Sequence, residues 1–209
     1  MQVFLIRHPK PVIDAGICYG RLDVDAHAPH AVADEIRPLL PRDVPVYSSP
    51  LRRARQLAEA LHPAPVFDAR LAEINFGDWE SLTYDEIQSK WPHAIDTMYR
   101  RPEEVKISGG ESFQDVQDRA WPAVVDAMKA AGEGKTIMVV AHGGTNRTLI
   151  CKMLNLSLHY AWNFSQGNTA LSRVDFYGLS EDDHNTLSLL NDTKHLDFMG
   201  DVSRVSANK

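Results

Sequence analysis

The sequence predicts a three-layer α/β/α sandwich built around a mostly parallel central sheet. Strand and helix signals alternate along the chain, which is the pattern of layered α/β folds. Two apolar runs, residues 3–6 and 139–141, have the composition of strands buried on both faces. The first run is followed by Arg7-His8, and the second is followed directly by His142. Ligands bind beyond the carboxyl ends of strands in such sheets, so both histidines are expected at one site.

The N-terminal half is expected to hold two strand–helix pairs. After the first strand and a turn-rich loop, a helix over residues 31–40 should end at Pro41. A short strand over residues 44–47 follows. It precedes Ser49-Pro50, where a serine cap and a proline at the first helical position predict a second helix.

The C-terminal half is expected to begin with a long helix opened by a capping box of Ser112 and Asp115. The remaining elements expected in chain order are a central strand over residues 136–141, a helix over 145–154, and two late strands over 170–176 and 186–190.

Length and composition favour one globular domain, expected over residues 1–199, with a loose polar tail over residues 200–209. The net charge of −6 disfavours nucleic acid as a partner. No signal peptide or membrane-spanning stretch is recognised, so no membrane association is expected. Cys18 and Cys151 form no C-x-x-C pair, which fits reduced packing residues in a cytoplasmic protein.

The residues at the strand ends suit phosphate chemistry. Arg7 and Arg53 are fixed cations whose guanidinium groups donate paired hydrogen bonds to phosphate oxygens, and Arg53 falls in the first turn of a helix. His142 and the backbone turn at Gly143 complete the expected phosphate site. His8 is then available as the nucleophile, because an imidazole nitrogen can attack phosphorus and form a covalent intermediate.

Glu73 is the best carboxyl candidate for protonating the leaving alkoxide. It precedes a glycine turn and lies among apolar residues. Each of these features alone has a simpler interpretation: Arg7-His8 as a surface pair, His142-Gly143 as a helix start, and Glu73 as a surface carboxylate. Their joint occurrence in the order that the strand ends require supports the catalytic interpretation.

At these residues the sequence resembles the histidine phosphatase superfamily, also called the phosphoglycerate mutase-like family. The resemblance extends from Val3 to about Leu196. Four motifs carry it: Arg7-His8-Pro9, Ser48-Ser49-Pro50-Leu51-Arg52-Arg53-Ala54-Arg55-Gln56, residues 71–80 and His142-Gly143. The resemblance implies a phosphohistidine at His8, phosphate ligands Arg7, Arg53 and His142, Glu73 as the general acid, and no metal or other cofactor.

Two residues depart from the family pattern. The glycine that usually follows the first histidine is Pro9, which has no backbone N–H to offer to phosphate. The asparagine that the family places near the phosphate is Asp14, whose carboxylate should point away or pair with a cation such as Lys10.

The chain is most similar to the α-ribazole phosphatases of cobalamin synthesis, which implies hydrolysis of a small phosphorylated metabolite, with α-ribazole phosphate as the candidate. The alternatives are a phosphoglycerate mutase-type phosphotransferase and a phospholigand-binding module without turnover. The oligomeric state is left open, with a homodimer as one option. Candidate specificity residues, which alternatively serve core packing, are Tyr19, Arg21, Trp79, Tyr99 and Trp162.

Overall fold

A six-stranded sheet with helices on both faces forms the centre of the structure, a computed structural model that describes residues 1–180 and 182–195. The strands are β1 Gln2–Arg7, β2 Val46–Ser48, β3 Val66–Phe67, β4 Thr136–Ala141, β5 Leu171–Asp175 and β6 Thr186–Asp192. The helices are α1 Pro29–Ile36, α2 Arg52–Leu61, α3 Tyr84–Lys90, α4 Ala94–Arg100, α5 Phe113–Ala131 and α6 Gly143–Met153. The tail expected over residues 200–209 lies outside the described residues, and the single domain over residues 1–199 stays a prediction.

The strand order is β3-β2-β4-β1-β5-β6. The first four strands in that order run parallel, whereas β5 and β6 pair antiparallel at the other side of the sheet. Strands β1 and β4 are direct neighbours, with Arg7 opposite Ala141. The predicted mostly parallel sheet is therefore confirmed, and the carboxyl ends of β1, β2 and β4 meet at one edge.

Alternate residues of β1 show how the three layers form. Val3 and Leu5 face a core cluster shared with α5 and α6, while Phe4 and Ile6 face a second cluster shared with α1 and α2. Successive side chains of a strand point to opposite faces, so an all-apolar strand stabilises both layers at once. Full burial of each such side chain contributes about 1.5–3 kcal/mol. The predicted α/β/α layering is confirmed.

The bounds of three helices differ from the predicted ones. Helix α1 begins at Pro29 and ends at Ile36, not Leu40, and a 3-10 turn over Arg37–Leu39 follows it, since Pro38 has no N–H for the α-helical hydrogen bond. Helix α2 begins at Arg52 rather than at Pro50. Helix α6 begins at Gly143, two residues before the predicted start, so its first turn lies directly beside the site.

Helices α3 and α4 were not predicted from the sequence. Both are short, and α4 follows His93, which adopts a left-handed conformation with φ of 70°. Helix α3 does carry a recognisable start signal, a capping box formed by Thr83 and Glu86. Their buried residues Ile87 and Met98 belong to a third apolar cluster, which packs next to the carboxyl edge of the sheet.

Helix α5, 19 residues long, has the predicted capping box: the Ser112 hydroxyl accepts from the Asp115 N–H, and the Asp115 carboxylate accepts from the Ser112 N–H. Pro122 lies inside the helix. Within the described parts of the chain, neither α5 nor any other helix is long and apolar enough to cross a bilayer.

Replacement of the capping serine tests this start signal. Ser112→Ala should lower the free energy of unfolding by about 1 kcal/mol, because the Asp115 N–H of the first turn loses its hydroxyl partner. Urea denaturation followed by circular dichroism measures the loss. Ser89→Ala is the control, since Ser89 is exposed within α3. An equal effect of the two substitutions would contradict the capping role.

Candidate active site

The register of the parallel strands places the two predicted site histidines side by side. The His8 N–H donates to the Ala141 carbonyl at 3.1 Å, which extends the β1–β4 ladder by one residue. The imidazole centroids of His8 and His142 are 5.1 Å apart. Both side chains are buried, with 1% and 0% exposure. The structure therefore brings together two residues that are far apart in the sequence, as predicted.

The hydrogen bonds of His8 define its tautomer. Its Nδ1 lies 2.6 Å from the Pro9 carbonyl oxygen, which can only accept, so Nδ1 carries the proton. The Arg53 Nε–H donates to His8 Nε2 at 3.3 Å, so Nε2 carries a lone pair. Burial and the charges of Arg53 and Arg7 lower the pKa of His8 well below its usual 6.5. His8 is accordingly a neutral imidazole with an unprotonated Nε2.

The loop that follows the Arg7-His8 pair also resolves the two departures from the family pattern. Pro9 supplies its carbonyl to the His8 ring, and a proline serves this purpose as well as a glycine. The same carbonyl accepts from Asn168 Nδ2 at 3.3 Å. Asp14 is exposed, and no ion pair with Lys10 is found in the described parts of the chain, so a carboxylate that points away from phosphate stays the prediction.

Arg53 is fully buried in the first turn of α2, as predicted. Its terminal nitrogens donate to the carbonyls of Leu22 and Gly20, both at 2.7 Å, and its guanidinium lies 5.1 Å from the centroid of the Tyr19 ring. Burial lowers its pKa, and the nearby Glu73 carboxylate opposes that shift. Arg53 thus presents a fixed positive charge and one N–H next to the His8 ring.

Arg7 brings a second cation to the same edge. Its Nη1 donates to the Gln166 carbonyl at 2.5 Å, and its Nη2 to the Tyr19 hydroxyl at 3.4 Å. Its Nε is buried and has no hydrogen-bond partner in the described chain. A buried, unused N–H donor on a guanidinium is what an anion at this edge would need.

His142 is oriented by a residue that the sequence analysis assigned only to a helix cap. Its Nε2 lies 2.7 Å from the Ser49 hydroxyl oxygen, which accepts from the Leu51 N–H. Burial is the main cause that lowers the pKa of His142 well below 6.5, followed by the charge of Arg53. Its Nδ1 is buried without a partner among the described residues.

Glu73 binds the N-terminus of α6. Its carboxylate accepts from the N–H groups of Gly144 and Thr145, at 3.1 and 3.0 Å, and from the Thr145 hydroxyl at 3.2 Å. A Cβ at Gly144 would lie 2.7 Å from the carboxylate, so this close approach requires glycine. Two donors of the turn that was expected to face phosphate are therefore occupied by Glu73, and Gly143 stays a predicted ligand.

Arg119 holds the chain at Glu73 and just before it. Its terminal nitrogens donate to the carbonyls of Arg70, Ala72 and Glu73 at 2.6–3.0 Å. Glu111 completes this arrangement, because it accepts from Arg119 Nε at 2.7 Å. The sequence analysis missed Arg119, since its partners are mainly backbone carbonyls, which leave no motif.

Four of the five candidate specificity residues fall into three places. Tyr19 lies in the site, with its ring centroid 6.5 Å from that of His8. Tyr99 and Trp162 lie against each other, with ring centroids 4.4 Å apart, and Trp162 also contacts the guanidinium of Arg147. Arg21 is half-buried and pairs with Glu111 at 3.2 Å, next to the Glu73 segment.

Trp79 takes the packing role that was the alternative for this group. It is 3% exposed and lies in the third apolar cluster, with its ring stacked 6.4 Å from Phe76. The structure does not bring it to the site. The three-residue spacing between the aromatic residues Phe76 and Trp79 was the available signal for core packing.

Comparisons with known proteins agree with this geometry. The chain is 33% identical over 175 residues to a glucosyl-3-phosphoglycerate phosphatase of Mycolicibacterium vanbaalenii, covering 74% of this chain and 75% of that protein. It is 29% identical over 155 residues to phosphoserine phosphatase 1 of Hydrogenobacter thermophilus, covering 72% of this chain and 71% of the relative.

Solved structures share the fold. A mycobacterial glucosyl-3-phosphoglycerate phosphatase superposes with a TM-score of 0.81 at 25% identity, covering 91% of this chain and 98% of that one. An α-ribazole phosphatase from Shigella flexneri superposes with a TM-score of 0.77 at 22% identity, covering 92% and 96%. The family model of the histidine phosphatase superfamily, branch 1, matches residues 3–193. The chain therefore belongs to the histidine phosphatase superfamily.

Proposed function

We propose that this protein hydrolyses phosphomonoesters of small metabolites through a phosphohistidine on His8 and without a metal ion. The observation that carries the proposal is the unprotonated Nε2 of His8, which faces a positively charged site lined by Arg53, Arg7 and His142. A phosphate dianion placed there would meet a nucleophile and guanidinium donors together.

The proposed reaction has two steps. Nε2 of His8 attacks phosphorus, the N–P bond forms, and the bond from phosphorus to the ester oxygen breaks while protonated Glu73 gives its proton to that oxygen. Water then attacks the phosphohistidine, Glu73 takes the water proton, and inorganic phosphate leaves with His8 restored. The His142 side chain stabilises charge on the transferring phosphoryl group in both steps.

Hydrolysis is favoured over the two alternatives. The relatives that match three quarters of the chain are phosphatases by name, whereas a 2,3-bisphosphoglycerate-dependent phosphoglycerate mutase of Brucella anthropi matches 43% of it. A binding module needs neither a nucleophile nor an acid, and the presence of His8 and Glu73 together therefore supports turnover. Release of inorganic phosphate, without transfer to an added alcohol or phosphoglycerate, is the expected outcome.

The relatives are named as phosphatases of small phosphorylated metabolites, and their names differ in the metabolite. α-Ribazole phosphate is the candidate that the sequence resemblance implied, and the similarity of the α-ribazole phosphatase structure concerns the fold. Phosphoserine and 3-phosphoglycerate join it in a test panel, alongside a generic aryl phosphate. The cytoplasmic location and the homodimer option stay predictions.

Loss of the nucleophile should abolish turnover. His8→Ala is expected to remove hydrolysis of p-nitrophenyl phosphate and the acid-labile phosphoenzyme seen after a rapid quench, with the circular dichroism spectrum unchanged. His30→Ala, at an exposed position on α1, is the control. Full activity of His8→Ala, or activity of the wild type that requires an added divalent ion, would contradict the proposal.

Glu73 should matter most for poor leaving groups. An alkoxide needs a proton to leave, whereas nitrophenolate leaves unaided, so Glu73→Gln should slow alkyl phosphates about 10²–10⁴-fold more than aryl phosphates. The ratio of kcat/KM for the two substrate types measures this. Asp78→Asn is the matched control, because Asp78 is an exposed carboxylate in the same segment. Equal losses on both substrates would leave Glu73 a structural residue.

The pH profile should reflect the lowered pKa of His8. Its neutral form is retained as pH falls past 6.5 and is lost only near the lowered pKa. The single-turnover release of nitrophenolate, measured at saturating enzyme, is therefore expected to stay nearly constant from pH 8 to pH 6. Arg53→Met removes one of the cations that lowers this pKa, so its acid limb should move to higher pH. A rate of the wild type that halves near pH 6.5 would contradict the assignment.

A further inference from the structure

A third guanidinium lies at the edge of the site, and neither the motifs nor the proposed reaction uses it. Arg147 projects from the first half of α6. The position that a Cβ on Gly143 would occupy lies 3.1 Å from Arg147 Nη1 and 3.4 Å from Arg7 Nε. The guanidinium of Arg147 therefore lies next to that of Arg7.

The Trp162 ring and a backbone carbonyl hold the Arg147 side chain. Its guanidinium carbon is 4.7 Å from the centroid of the Trp162 ring, and its Nε donates to the Phe164 carbonyl at 3.0 Å. Trp162 is in turn fixed by a hydrogen bond from its indole N–H to the Met98 carbonyl, also at 3.0 Å. The Nε–H of Arg147 is thus used, and its two terminal nitrogens remain for another partner.

Arg147 lacks a counter-ion in the described part of the chain. No carboxylate oxygen there lies within 4.0 Å of its nitrogens, and its terminal nitrogens donate no hydrogen bond. The nearest opposing charge is Glu73, whose carboxylate is held by the N-terminus of α6. Burial and the charge of Arg7 lower the pKa of Arg147 to about 10. Two adjacent, poorly solvated cations are unfavourable unless an anion joins them.

We propose that Arg147 binds a second anionic group of the substrate, a carboxylate located two or three bonds from the phosphate ester oxygen. The proposal rests on the proposed phosphatase function, because the phosphate is taken to lie at Arg7 and His8. A guanidinium offers a carboxylate two parallel N–H donors, and the contact with Trp162 and the hydrogen bond to Phe164 leave both terminal nitrogens of Arg147 for that role. The closeness of Arg147 to Arg7 limits the substrate to a short carbon skeleton.

Arg147 would distinguish two kinds of substrate. A carboxylated phosphomonoester such as phosphoserine satisfies both Arg7 and Arg147, whereas α-ribazole phosphate carries no carboxylate and leaves Arg147 unpaired. Arg147 is therefore a specificity residue: it acts on substrate binding and not on the bond that breaks.

A matched pair of substrates tests the proposal. O-Phosphoserine and O-phosphoethanolamine differ only in the carboxylate, so the ratio of their kcat/KM values isolates its contribution. The wild type should prefer phosphoserine, and Arg147→Met should reduce that preference by ~10- to 100-fold, mainly through KM, as expected for loss of a charge-assisted hydrogen-bonded pair. Arg147→Gln gives the same readout if the methionine variant does not fold.

The control is Arg55→Met. Arg55 also lies over an aromatic ring, 5.2 Å from the centroid of Phe67, but its side chain is exposed on α2. This variant should keep the wild-type ratio. An unchanged ratio in Arg147→Met would overturn the proposal. If the ratio were unchanged because activity on both substrates fell equally, Arg147 would be assigned to the phosphate itself.

Affinity measurements distinguish this inference from the proposed function. Isothermal titration of phosphoserine and phosphoethanolamine into the His8→Ala variant, with and without Arg147→Met, measures binding without turnover. If the wild type hydrolyses no phosphomonoester but the affinity ratio depends on Arg147, the phosphatase proposal fails and the subsite stands. If the wild type is active and that ratio is independent of Arg147, only the subsite fails.

Discussion

The parallel pairing of β1 with β4 is the constraint on which the site depends. Because Arg7 lies opposite Ala141, the next residue of each strand is a histidine, and the two rings face each other across 5.1 Å. Strand β2 adds Ser49 at the same level, since its N–H continues the ladder to the Val140 carbonyl. A shift of one residue in this register would turn one imidazole into the opposite layer. The apolar side chains of both strands oppose such a shift, because they fill both faces of the sheet.

Charge is distributed unevenly around these two rings. The guanidiniums of Arg7 and Arg53 lie beside two neutral imidazoles, and burial is the first cause of the lowered pKa of both histidines. The carboxylate of Glu73 does not neutralise this cluster by direct ion pairs, because backbone donors of α6 bind it. One helix terminus thus serves the carboxyl group, and the side-chain cations stay available to an anion. This separation allows the Glu73 carboxylate and several arginine cations to coexist within a small buried volume.

The sequence predicted the features that follow from strand ends and local start signals. The layers, the meeting of His8 with His142, and the capping box at Ser112 all depend on patterns within a few residues of one another. Arg119 and Arg147 could not be predicted in the same way, because their partners are backbone carbonyls and an indole ring supplied by distant segments. Trp79 was wrongly assigned to the site, because the sequence does not distinguish an aromatic residue of a pocket wall from one of the core. Burial decides between the two, and burial depends on helices α3 and α4, which the sequence analysis did not predict.

The contact between Pro9 and His8 has a consequence for the evolution of this site. The atom that selects the His8 tautomer is a main-chain oxygen, which every amino acid possesses, and Asn168 holds the same oxygen from the other side. Selection at position 9 therefore acts on backbone geometry and not on side-chain chemistry. A lineage can exchange glycine for proline there, give up an N–H, and gain a more rigid loop without changing the electronic state of the neighbouring ring.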